Sequence, residues 1–176
     1  MDAYSKSKTP EGEGDKRQTP LKVYSRIQQI INIPIIHDVA AENHTTKSES
    51  FWTKEDDALK QEWNKEIEKI AKQNEFNTSY AVWMNPPYSD PETWCKKAYQ
   101  ESRKGLIIVG LLPDDRSTGW YQDWIEDKAP IIYVPDKRIS FEDADGIAQK
   151  GNPKGSVVVL WMPMQIDRTT YMRFKL

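Results

Sequence analysis

"SYAVWMNPPYSDPETW" occupies residues 79–94. Its first part, "SYAVWM", is a short apolar run of the kind that forms a strand buried on both faces. Its last part opens a helix: Asp90 is a capping residue, and Pro91 suits the first helical position, where a missing N–H costs nothing. Asn85, Pro86, Pro87 and Tyr88 lie between the two. The stretch therefore reads as one strand–loop–helix unit, with Asn85 and Tyr88 in the loop that leaves the carboxyl end of the strand.

The same alternation extends in both directions. Upstream, "TPLKVYSRIQQIIN" (19–32) predicts a helix with Thr19 as cap, Pro20 in the first turn and a stripe of Val23, Ile27, Ile30 and Ile31. "IPIIHDVAAEN" (33–43) predicts a buried strand ending at Asp38, and "SFWT" (50–53) a second short one. "TKEDDALKQEWNKEIEKIAKQN" (53–74) predicts one long helix, with Thr53 and Asp56 as a capping box and Leu59, Trp63, Ile67, Ile70 and Ala71 on one face. Downstream, Gly105 stops the helix that Asp90 starts. "LIIVGLLP" (106–113) is a strand, "STGWYQDWIEDK" (117–128) a helix, and "PIIYVP" (130–135) and "SVVVLWMP" (156–163) are strands separated by a polar loop.

Strands alternating with helices indicate an α/β fold with a mostly parallel sheet and helices on both faces. The last two strands lack a helix between them and should pair antiparallel. Residues 1–17 are polar and read as a tail, and 18–176 as a single domain. In such sheets ligands bind beyond the carboxyl ends of the strands. The segments leaving those ends are 38–43, 85–88, 113–118 and 137–141, so their polar side chains should share one edge.

Composition narrows the function. The net charge is −2, with 25 basic and 27 acidic residues, so contacts to phosphate must come from local clusters. The single cysteine, Cys95, allows no internal disulfide, which suits a reducing, cytoplasmic setting. Cys95, His37 and His44 make a poor zinc set, and no metal is expected. No apolar run reaches membrane-spanning length and no basic-then-apolar leader is seen, so no membrane association is expected.

The loop at 85–88 suits one demanding reaction, methyl transfer to the exocyclic amine of a nucleobase. That nitrogen is a poor nucleophile because its lone pair is delocalised into the ring. Two rigid acceptors for its hydrogens favour a pyramidal nitrogen with a directed lone pair. Asn85 offers a side-chain oxygen. Pro86 offers a carbonyl, held in an extended geometry by the Pro87 ring. Tyr88 offers an aromatic face for a base extruded from its stack.

"NPPY" after an apolar strand resembles the fourth motif of S-adenosylmethionine-dependent methyltransferases that act on amino groups. In order along the chain stand "QTP" (18–20), "DVAAEN" (38–43), "FWTKEDDAL" (51–59), Trp63, "VWMNPPYS" (82–89), "LLPDDRSTGWY" (111–121), "RISF" (138–141) and "NPKGSVVVLW" (152–161). Together they are similar to the phage DNA N-6-adenine methyltransferase (Dam-like) family. The resemblance implies a Rossmann-like methyltransferase fold, S-adenosylmethionine as cofactor, double-stranded DNA as partner and N-6-methyladenine as product, with GATC as a target and protection from restriction as a role.

By that resemblance Asn85, Pro86, Pro87 and Tyr88 are the catalytic loop. Gln18, Thr19 and Pro20 lie beside the methionine end of the cofactor. Asp38 meets its ammonium, within a first cofactor loop that includes Ala40, Ala41 and Asn43 and has no glycine-rich sequence. Asp57 is the candidate for the cofactor's adenine amine, with Trp52 as a stacking surface and Asn85 also at the cofactor. Arg116, Ser117, Lys137, Arg138, Lys150 and Lys154 are candidate DNA contacts, with Lys6, Lys8, Lys16 and Arg17 of the tail able to join them. The competing readings are a methyltransferase of RNA bases or protein glutamine amides, and a non-catalytic DNA-binding or antirestriction module; the intact loop argues against the last.

Overall fold

The computed structural model describes residues 17–143, 145–149 and 154–176. Helix α1 (Leu21–Ile31) precedes strand β1 (Ile35–Asp38). Helix α2 (Trp63–Gln73), strand β2 (Ala81–Met84), helix α3 (Pro91–Ser102) and strand β3 (Ile107–Pro113) follow. Helix α4 (Gly119–Trp124) and strands β4 (Ile131–Pro135), β5 (Ser156–Trp161) and β6 (Thr170–Phe174) complete the chain. One six-stranded sheet has the order β1-β2-β3-β5-β4-β6. β1, β2 and β3 pair in parallel, β5 runs antiparallel to both β3 and β4, and β6 is parallel to β4. Among the described residues five strands thus point one way and β5 is reversed, which gives the antiparallel pairing expected of the last two predicted strands. This is a Rossmann-like α/β arrangement.

Side-chain alternation along the central strands builds two cores. Val82 and Met84 of β2 face Trp63, Ile67 and Ala71 of α2, Cys95 and Ala98 of α3 and Tyr121 of α4. Ala81 and Trp83 face Val23, Tyr24, Ile27 and Ile31 of α1. The continuous apolar run of each central strand follows from this, because neither face of the sheet meets water. On the α1 side the Tyr24 ring meets Trp83 edge-on at 5.1 Å.

Gly110 sits where a bulky side chain of the reversed strand needs room. A Cβ there would lie 2.8 Å from Cζ3 of Trp161 and 3.1 Å from Cε of Met84. The indole of Trp161 is fixed in place, its Nε1–H donating to the Trp124 carbonyl at 2.9 Å.

Helix α2 takes its N-terminal partner from another helix. Its first residues have no side-chain cap of their own. Instead the Asn64 N–H donates to Oε2 of Glu101 at 3.1 Å, and the Asn64 amide donates to the same oxygen at 3.0 Å. Lys97 and Lys104 each donate to Oε1 at 2.9 Å. Burial opposes ionisation of Glu101, but the hydrogen bonds from Lys97, Asn64 and Lys104 outweigh it and hold its pKa at about 2.

Several elements depart from expectation. The helix predicted over 53–74 begins only at Trp63. Thr53 and Asp56 form only half of their box: the Thr53 N–H and hydroxyl donate to Asp56 at 2.7 and 3.0 Å, but the Asp56 N–H goes to the Thr53 carbonyl at 3.2 Å rather than to its hydroxyl. The chain then turns through Asp57 at φ 49°. Ala58 and Trp63 are both buried, yet five residues along a straight helix they would face about 140° apart. The turn resolves this, and the Trp63 indole donates to the Ala58 carbonyl at 2.6 Å. "SFWT" makes only a single bridge, Phe51 beside Asp38. The helix predicted over 117–128 is confined to Gly119–Trp124. Strand β6 was not anticipated; it lies at the sheet edge, where its side chains need not be apolar. Asp90 does cap α3, accepting from the Thr93 N–H at 3.2 Å, and Gly105 takes a left-handed φ of 121° after that helix.

Replacing Gly110 with Ala forces Trp161 or Met84 from its place. The Gly110→Ala variant should lose about 1–3 kcal/mol of stability in chemical denaturation, whereas Gly119→Ala, where an added Cβ meets nothing within 4 Å, should be close to neutral.

Candidate active site

Because β1 to β4 run in one direction, the segments that leave them emerge at one edge of the sheet. Trp83 is the last β2 residue paired with β1, opposite Asp38. The two strand ends therefore deliver Asp38 and Asn85 side by side. Between them opens a cavity of about 850 Å³ lined by parts of 17–19, 38–47, 53–59 and 83–94. That size lies within the range of small-molecule and cofactor sites.

Asp38 forms the floor on the β1 side and is 2% exposed. Its Oδ1 accepts from the Ala40 N–H at 3.2 Å and its Oδ2 from the Lys47 N–H at 3.1 Å. Burial raises its pKa to about 6, and the two backbone hydrogen bonds and the Lys47 charge only partly offset this. A carboxylate buried with so little compensation favours a cation brought to it.

Asn85 stands at the opposite side, and its Nδ2 donates to Oγ1 of Thr19 at 3.2 Å. With Nδ2 donating to Thr19, Oδ1 is the acceptor left for a ligand. Thr19 is buried and was expected to cap α1. The cap position falls to Pro20 instead, with no side-chain cap bond, because the Thr19 hydroxyl is turned to Asn85. Gln18 holds this N-terminal strip in place. It exchanges backbone hydrogen bonds with Glu142 at 2.8 and 2.9 Å, and its amide donates to the Asp143 carbonyl at 2.9 Å.

Tyr88 lies to the other side of the loop, away from the cavity. Its ring meets Phe141 edge-on at 6.0 Å, and its hydroxyl donates to the Leu111 carbonyl at 3.4 Å. Burial drives its pKa upward, so the phenol stays protonated. Pro86 is buried and Pro87 exposed at the cavity rim.

Of the residues singled out in the sequence, Arg17, Gln18, Thr19, Asp38, Ala40, Ala41, Asp57, Asn85 and Pro87 line the cavity. Asp57 also pairs with exposed Lys60 at 2.6 Å. Pro20, Asn43, Trp52, Pro86 and Tyr88 do not border it. Trp52 is taken up by neighbouring rings, meeting His37 edge-on at 4.4 Å and Trp63 at 6.5 Å. The aromatic surfaces at the cavity are Trp94 and Trp83. Trp94 falls on a helical stripe that reads as core, but its place in the first turn of α3, straight after the loop, signals the ligand edge. Lys47, Leu59 and Ser89 also line the cavity and were not anticipated.

The basic candidates fall along the same edge. Arg116 donates to Asp114 at 2.9 Å and lies 4.4 Å over the Tyr171 ring. Lys154 pairs with Asp115. Ser117, Lys137 and Arg138 are exposed. Lys150 and the tail lysines Lys6, Lys8 and Lys16 lie outside the described residues. Among the described residues no cluster of metal-ligating side chains forms, and no helix is long and apolar enough to cross a membrane.

A mostly parallel sheet with one reversed strand, carrying Asn-Pro-Pro-Tyr and a buried acid at its carboxyl edge, defines a Rossmann-like methyltransferase fold. The family model described as DNA N-6-adenine-methyltransferase (Dam) matches residues 6–175, and the chain belongs to that family. A DNA N-6-adenine-methyltransferase of Haemophilus phage HP1 (strain HP1c1) is 30% identical over 161 residues, covering 90% of this chain and 85% of the relative. One of Escherichia phage T1 is 28% identical over 187 residues, covering 96% and 73% respectively.

The Thr19–Asn85 bond can be tested by itself. Thr19→Val leaves the Asn85 amide without its acceptor and should cost about 1–3 kcal/mol in chemical denaturation; Thr19→Ser, which keeps the hydroxyl, should recover most of that loss.

Proposed function

We propose that this protein is a DNA adenine-N6 methyltransferase that uses S-adenosylmethionine and acts on an adenine turned out of double-stranded DNA. The observation that carries the reading is the Thr19–Asn85 hydrogen bond, which, with Nδ2 as the donor, leaves the amide oxygen to accept from a ligand at the mouth of the cavity built on Asp38. Family membership and the two phage relatives, whose names state this activity, support it.

The cavity suits the cofactor. Its buried Asp38 favours an ammonium, its far wall carries Asp57, and Trp94 and Leu59 offer flat and apolar surface for a nucleoside. Bound there, S-adenosylmethionine supplies an electrophilic methyl group on a positively charged sulfur. The chain's own residues do the rest. Gln18 and Thr19 close one side, and Ala40 and Ala41 bring backbone close on another. Asn85 Oδ1 and the Pro86 carbonyl accept the two hydrogens of the adenine amine, directing its lone pair. Pro87 keeps Pro86 extended. Tyr88, anchored by Phe141 and Leu111, stacks on the extruded base and returns roughly 1–3 kcal/mol of the cost of unstacking.

Arg116, Ser117, Lys137, Arg138 and Lys154 serve the DNA backbone around that opening. The acid partners of Arg116 and Lys154 do not prevent this, since exposed ion pairs are worth about 0–1 kcal/mol and exchange readily for phosphate. The phage origin of the relatives supports a role in the bacterial host cytoplasm; within this reading adenine methylation shields DNA from restriction, and GATC is the target that the family resemblance implies.

Incubation with labelled S-adenosylmethionine and unmethylated DNA should place the label in N-6-methyladenine, and an endonuclease blocked by methylated GATC should lose its cut. Label appearing only in RNA or protein would overturn the DNA reading; DNA binding without transfer to any acceptor would favour a non-catalytic module. Asn85→Ala should lower transfer by about 100-fold or more while leaving cofactor affinity nearly unchanged. Ionised Asp38 attracts the cofactor ammonium and neutral Asp38 does not. Its raised pKa means that affinity should hold steady above about pH 6 and weaken as pH falls through that value. Titration calorimetry across pH 5–8 should show this slope in the wild type and lose it in Asp38→Asn.

A further inference from the structure

The loop after β1 brings a lysine to the wall that Asp38 forms. The Lys47 N–H donates to Oδ2 of Asp38, so the Lys47 side chain leaves the backbone next to that carboxylate. The side chain is half-buried and lines the same cavity. Turn hydrogen bonds fix the loop on both sides: the Glu42 N–H donates to the Thr45 hydroxyl at 2.9 Å, and the Thr46 hydroxyl to the Ser48 carbonyl at 2.7 Å. Burial lowers the Lys47 pKa, and the charges of Asp38 and Glu142 oppose that shift.

Opposite charges on one partly desolvated wall gain most by touching. Here they influence one another without closing into an ion pair among the described residues. The spacing leaves a place for a ligand with both charges. An α-amino acid has an ammonium and a carboxylate on one carbon, which complements an acid and a lysine that stand beside each other but apart. Arg17 and Lys54 also border the cavity, but neither is tied to Asp38 by its own backbone as Lys47 is.

We propose that Lys47 is a positioning residue that receives the carboxylate of an amino-acid-bearing ligand whose ammonium rests on Asp38. The proposal rests on the S-adenosylmethionine reading above and assigns the amino-acid end of the donor to the β1–loop wall. It makes Lys47 the residue that distinguishes a donor with a carboxylate from one without.

S-adenosylmethionine and its decarboxylated form differ in that group alone, so calorimetry with both isolates the contact. The wild type should prefer the intact donor by about 10–100-fold, the value of a charge-assisted hydrogen bond. Lys47→Met should abolish the preference while leaving affinity for the decarboxylated form unchanged, and Lys47→Arg should retain most of it. The proposal is overturned if Lys47→Met keeps the preference, if it weakens both ligands equally, or if the preference is lost in Arg17→Gln instead. A wild-type protein that binds neither ligand overturns the donor reading itself, a result distinct from the loss or retention of discrimination.

Discussion

Two consecutive residues without an amide hydrogen end strand β2. Pro86 and Pro87 cannot donate to a neighbouring strand, so the ladder between β1 and β3 must stop at Met84 and the chain must leave the sheet there. Everything at the candidate site is arranged around that exit. Asn85 emerges opposite the end of β1, where Asp38 lies. Tyr88 folds back over the edge toward Leu111 and Phe141, and Asp90 starts α3 at once. The same exit faces the N-terminal strip, whose Thr19 completes the Asn85 geometry from 66 residues away in sequence.

Two buried carboxylates meet opposite surroundings in this fold. Glu101 is surrounded by Lys97, Lys104 and Asn64, and it stays ionised well into the acid range. It ties α3 to the start of α2, and its surroundings leave no role for a ligand. Asp38 has two backbone N–H groups and a lysine that does not close on it, and burial lifts its pKa to about 6. The first charge is paid for within the chain. The second is under-compensated, as expected where a cationic ligand is to supply the missing partner.

Much of this architecture was legible in the sequence because its signals are local. The apolar runs at 81–84, 107–113 and 156–161 had to be strands buried on both faces, and Asp90 with Pro91 had to start a helix. The polar segments after the strands had to gather at one edge once the strands were parallel. The signals that misled were also local. Thr53 and Asp56 form half of a capping box, but the burial of both Ala58 and Trp63 bends the chain away from a helix. Thr19 has the residue type of a cap but is claimed by Asn85. Trp52 has the look of a stacking surface but is used up by His37 and Trp63, while Trp94 faces the cavity.

The sequence by itself determined the α/β class, the reversed pairing of β5 with β4, the candidate loop at 85–88 and the acid at 38, because periodicity, proline and capping chemistry act over a few residues. Only the tertiary structure decided which atoms meet. That Thr19 orients Asn85, that Gln18 is pinned by Glu142 and Asp143, that Lys47 shares a wall with Asp38, and that Trp94 rather than Trp52 borders the cavity all depend on packing between segments far apart in the chain. Such contacts are fixed by how whole elements bury their apolar faces, and no local pattern records them.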